Sequence, residues 1–199
     1  MARRSRRIRP GGQDAGAGGR PAPAAADTPP PGRPGTVAEV VVSYVKFGAV
    51  LLGLFTLSQT SLATTLVFHP VAKGIAKLAS LLLRLFNIDA QAQGSVIHSG
   101  SFAAMVDTNC TGLFVIFIYL SALVAYPSGM REKAFGVALG CAALFTLNLL
   151  RVATLVIVGS ARPDMLNVAH YLIWQSLMIV AAICLWLFWA ERVADAPGH

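Results

Sequence analysis

The sequence predicts an all-α protein, a polytopic membrane helix bundle with about four transmembrane helices, one interfacial amphipathic helix and a small extracytoplasmic loop or hairpin. Three observations predict it. Hydrophobic residues make up 55% of the chain, and mean hydropathy is +0.63. Charged residues make up only 13%, where a soluble domain carries about a quarter. These few charges fall in short clusters between long apolar runs, which is the pattern of a chain that crosses a membrane repeatedly.

Residues 1–36 are Arg-rich, then Gly, Ala and Pro. The stretch "GGQDAGAGGRPAPAAADTPPPGRPG" has too little apolar surface to bury and is expected to be disordered. Much of the net charge of +7 sits here, in Arg3, Arg4, Arg6, Arg7, Arg9, Arg20 and Arg33. Basic residues ahead of a first span hold that end in the cytoplasm and contact anionic lipid. No aromatic residue interleaves with them to stack bases, so no nucleic-acid partner is expected. The basic cluster also lies too far from the first apolar run to read as a signal peptide.

A membrane-embedded domain is expected over residues 37–192, followed by a short tail, 193–199. Its first span is Val37–Leu57, with Lys46 inside it. The next segment is Phe68–Phe86. Lys73, Lys77, Ser80 and Arg84 recur there at helical spacing on one stripe, and Ile75, Leu78, Leu82 and Leu85 take much of the other side. That pattern predicts an amphipathic helix lying in the interface. Asn87–Asn109 is polar and broken by Gly94 and Gly100. It is expected outside the membrane, with a β-hairpin around Ser95–Phe102. Three spans follow, at about Gly112–Tyr126, Ala134–Gly159 and Tyr171–Trp189.

With the N-terminus inside, this order puts Arg131 and Lys133 in the cytoplasm, as the positive-inside rule prefers. The chain then ends inside at Arg192. Lys73, Lys77 and Arg84 fall on the outer face against that bias, and the downstream topology inverts if their helix crosses instead of lying flat.

Either topology gives the same juxtaposition. Cys110 opens the second span, Arg151 lies near the far end of the third, and His170 opens the fourth, so all three share one side of the membrane. A thiol at a helix N-terminus is expected to have a lowered pKa. An arginine inside an apolar span costs at least ~2.5–3.5 kcal/mol and is functional by default. Thiolate chemistry needs a base or proton shuttle and a positive group nearby. Histidine supplies the first; arginine, always protonated, supplies the second. Gly112 lets a substrate backbone approach, and Thr111 caps the helix or bonds the substrate. Cys141 and Cys184, deep in apolar helix, read as small hydrophobes. His69, His98 and His199 read as structural or surface residues. The three cysteines are widely spaced, with no metal-ligand pattern, so neither a metal nor a cofactor is expected.

Three short motifs resemble the exosortase/archaeosortase family, in its short form. "NCTGLF" (Asn109–Phe114) resembles that family's C-[ST]-G motif. "NLLRV" (Asn148–Val152) resembles its asparagine-to-arginine motif, and "AHYLIWQ" (Ala169–Gln175) resembles the histidine-bearing start of its last helix. The likeness spans about Val37–Trp189. It implies a membrane-embedded cysteine protease or transpeptidase acting on exported proteins. Their C-terminal sorting signal would be a short motif, a transmembrane helix and a basic cluster. By motif, Cys110 is the nucleophile, Arg151 the charge stabiliser and His170 the acid/base; Asn109, Thr111, Gly112 and Asn148 bind substrate or support them. The expected location is the cell inner or plasma membrane, multi-pass, with the active site facing outward. The rival is a non-enzymatic assembly or transport subunit, in which Arg151 forms an interhelical ion pair. No acidic residue lies within the second, third or fourth expected span to pair with it.

Overall fold

The computed structural model describes residues 36–194. The segment expected to be disordered lies outside the described residues except for Thr36, and so does nearly all of the short tail with His199. Five helices carry the fold. Four of them are long and apolar enough to cross a membrane: α1 (Val37–Ser58), α2 (Ser61–Leu85), α4 (Met130–Ala161) and α5 (Pro163–Val193). The fifth, α3 (Leu113–Ala125), is apolar but shorter.

Each start has a local cause. Thr36 caps α1 through a capping box with Glu39, satisfying two donors that a helix N-terminus otherwise leaves open. None of α1 is buried. Its apolar side chains face outward, as a helix bathed in lipid requires, and it touches α3 through the edge-to-face pair of Phe55 and Phe114, 6.2 Å apart. α2 begins seven residues earlier than its expected start at Phe68, because Thr60 caps the extra turns. A π-helical segment, Thr64–Phe68, then joins these turns to the stretch from His69. The added length is what allows the helix expected to lie flat to reach across a bilayer by size and composition. α4 is longer than expected at both ends and stops at Arg162.

The loop between α2 and α3 holds three short antiparallel strands, β1 (Gln91–Gln93), β2 (Val96–Ser99) and β3 (Phe102–Met105). The expected single hairpin is the β2–β3 half of this sheet, and β1 adds to it with Gln93 opposite Val96. Phe102 brings the tip of its ring against Gly159 of α4, where any side chain would collide with it. Ile97 and Val106 insert beside Ala72, Ile75, Ala79 and Leu83 of α2 and Val152 and Val156 of α4. This apolar seat fixes the sheet on the bundle directly before the chain reaches Cys110. Burying such side chains stabilises by about 25 cal/mol per Å² of apolar surface.

Candidate active site

The approach to Cys110 is a tight 3-10 turn, Thr108–Thr111, and not the first turn of an α-helix. Asp107 starts it. Its carboxylate Oδ1 accepts the Cys110 N–H at 3.0 Å. Thr111 is 1% exposed and donates its hydroxyl to the Thr108 carbonyl at 2.7 Å, so it ties the turn to itself. Gly112 then takes φ 71°, ψ 0°, the left-handed conformation that glycine adopts without steric cost. This reverses the chain into α3. A methyl group at Gly112 would lie 2.8 Å from Asn148 Cγ, so the position is closed to side chains on two counts.

Asn148, on α4, is 1% exposed. Its Nδ2 donates to the Cys110 carbonyl at 3.0 Å, which fixes the cysteine backbone against the neighbouring helix. Its Oδ1 is buried with no partner among the described residues. Arg151 lies one turn further along the same face and is 2% exposed; its Nε is also buried without a hydrogen-bond partner among the described residues. A buried polar group left open costs about 1–3 kcal/mol. Two of them one turn apart on the same helix suit a visiting group that would complete the bonding.

Cys110 Sγ lies 3.4 Å from His170 Nε2, a contact bridging 60 residues of sequence. His170 is not at the opening of its helix, as the sequence suggested. It sits inside a π-helical segment, Val168–Trp174, because α5 starts earlier at Pro163. Such widened turns recur at functional sites, and this one carries the imidazole that meets the thiol. The Tyr171 ring stands edge-on to the imidazole at 4.5 Å.

The electrostatics correct one expectation. Burial, reinforced by the charge and hydrogen bonding of Asp107, pushes the Cys110 thiol up to about 11, and the nearby Arg151 charge only partly offsets this. A helix dipole does not rescue it, since α3 begins three residues later. Cys110 is therefore a thiol at neutral pH. Nor is the Cys110 N–H free to hold an oxyanion, because Asp107 occupies it.

Cys110, Arg151, His170, Thr111, Gly112 and Asn148 thus come together. The backbone of Asn109 belongs to the turn; its side chain lies outside the described residues. His69 and His98 are exposed on other elements. Cys141 is half-buried beside the Tyr119 cluster, and Cys184 is exposed. Asp107 is the residue the sequence reading missed. It lies within electrostatic range of Cys110, Arg151 and His170. Its signal was present: an aspartate three residues before the cysteine is the spacing at which a side chain caps a turn. Among the described residues, no three His, Cys, Asp or Glu gather into a metal-sized group.

A family model described as transmembrane exosortase matches residues 41–190, and the chain belongs to that family. No curated protein and no solved structure matches it.

Proposed function

We propose that this exosortase is a membrane cysteine transpeptidase whose nucleophile is Cys110. The contact between Cys110 Sγ and His170 Nε2 carries the reading. Family membership supports the general activity.

His170 Nε2 takes the thiol proton as sulfur attacks the scissile carbonyl carbon. General-base help is needed because the thiol is held above its ordinary pKa, and it is needed only at the moment of attack. The tetrahedral oxyanion forms beside the Arg151 guanidinium, whose Nε is already desolvated and open. Donors fixed in place before the charge develops stabilise it most. The C–N bond then breaks, and His170 returns its proton to the leaving amine. The thioester on Cys110 is resolved by an acceptor nucleophile, which gives a proton to the system as sulfur leaves as the thiol. Asn148 keeps the Cys110 backbone from rotating. The substrates of this reading are exported proteins with a C-terminal motif, a transmembrane helix and a basic cluster, met at the extracytoplasmic face.

The test is direct. Chain purified from its native membranes after acid quench is expected to yield a Cys110 peptide bearing an adduct that hydroxylamine releases. Cys110→Ala should lack the adduct and leave tailed exported proteins unprocessed. Normal processing in that variant would support a non-enzymatic subunit instead.

A further inference from the structure

We propose that a cationic cleft between α2 and β1 binds the phosphate-bearing headgroup of an anionic membrane lipid. The site lies outside the Cys110 constellation and does not depend on its chemistry.

From Ala72 onward, α2 has three faces rather than two. One is buried against the sheet and α4 through Ile75, Ala76, Ala79 and Leu83. A second is apolar and exposed, with Leu78, Leu81 and Leu85 in a row. Between them runs the stripe of Lys73, Lys77 and Arg84, at spacings that keep one side of a 3.6-residue helix. This stripe opens into a cleft of about 570 Å³ whose opposite wall is the segment Asp89–Gly94. The three cations are exposed, and among the described residues no ion pair occupies them. Asp89 is the acid on the lining, so the cleft keeps a net positive charge of two.

The depth of the cleft follows from its wall. β1 is an edge strand, and an unpaired strand edge is not tolerated in hydrocarbon. The β1 wall therefore sits at headgroup level, and the long cationic side chains of α2 that line the same cleft reach it there. An anion held by Lys73, Lys77 and Arg84 lies directly beside the exposed leucine face. A ligand with phosphate at one end and acyl chain at the other matches both faces; a free phosphate ion matches only one. Basic residues at a membrane surface each add about a factor of five in affinity for anionic lipid.

The experiment uses the full chain in uncharged maltoside micelles, with bound ligand counted by native mass spectrometry. The probes are dihexanoyl phosphatidylglycerol, dihexanoyl phosphatidylcholine and inorganic phosphate. Phosphatidylglycerol is expected to bind about thirtyfold tighter than phosphatidylcholine, from two net charges. The Lys73→Gln/Lys77→Gln/Arg84→Gln variant should lose that preference. A charge-preserving Lys73→Arg/Lys77→Arg/Arg84→Lys variant should keep it, and so should Arg131→Gln/Arg162→Gln, which removes exposed cations elsewhere. The proposal is overturned if the glutamine variant retains the preference or if the Arg131/Arg162 variant loses it equally. It is also overturned if inorganic phosphate competes as well as the lipid does.

Discussion

Along α4, two packed regions use opposite materials. Around the first half of the helix, large rings meet glycine. Tyr119 packs where Gly140 has no side chain, and Trp189 packs over Gly136. Both rings give their polar atom to a backbone carbonyl: Tyr119 to Gly136 and Trp189 to Glu132, each at 2.8 Å. Around the second half, small residues such as Ala72, Ala76, Ala79 and Ala153 fill the core. There Asn148 and Arg151 bring buried polar atoms with no partner among the described residues. The difference separates tasks. The aromatic region is closed and holds helices together, and the small-residue region leaves bonding capacity open beside a thiol.

If that division holds, substitutions in the open region should cost far more in turnover than in melting temperature, while substitutions in the aromatic region should do the reverse. The largest effect is expected from Cys110→Ala, which should lower processing by on the order of a millionfold with an unchanged thermal midpoint. Gly112→Ala comes next. It forces a side chain into the left-handed conformation and against Asn148. Displacing a nucleophile by about 1 Å costs on the order of a hundredfold, read in adduct yield at Cys110. Gly140→Ala sharpens the contrast from the other side. It drives a methyl group into the Tyr119 ring and should cost about 1–3 kcal/mol of stability, seen as a lower midpoint with near-normal turnover per folded molecule. Equal loss of turnover per folded molecule in the two glycine variants would dissolve the distinction.

Asn148→Leu should lower turnover about tenfold, because the Cys110 carbonyl loses a bond worth about 1 kcal/mol and the backbone it fixed. The smallest effect concerns pH. Asp107 helps hold the thiol up at about 11, so removing its charge lowers that pKa and raises the thiolate fraction at any pH below it. Iodoacetamide should therefore label Cys110 of Asp107→Asn about fivefold faster at pH 9, the effect of about 1 kcal/mol of charge interaction. In the wild type, labelling should keep rising with pH until close to 11. A plateau near pH 8 would show a thiol that Asp107 does not control.

Much of this was legible in the residues. The apolar runs mark the helices, and Arg151, isolated in such a run, marks its own importance. The order Cys110, Arg151, His170 on successive elements follows from counting crossings. Less was legible at the joints. The run "SLATTLVF" is rich in β-branched residues with modest helix propensity, yet the Thr60 cap and packing continue α2 through it. The π segment around His170 leaves no periodic trace, because widening one turn shifts the register by a single residue. The raised thiol pKa depends first on how deeply the turn is buried, which is a tertiary fact; the Asp107 contribution is local to the turn.

The pairing of Cys110 with His170 has a consequence for the making of the molecule. The sulfur is synthesised sixty positions before the imidazole it meets, and the imidazole rides on a later hydrophobic segment, α5. A chain made only as far as α3 carries the thiol without that imidazole. Under the proposed chemistry, the thiol therefore gains its proton acceptor only once α5 has packed against the turn that carries Cys110.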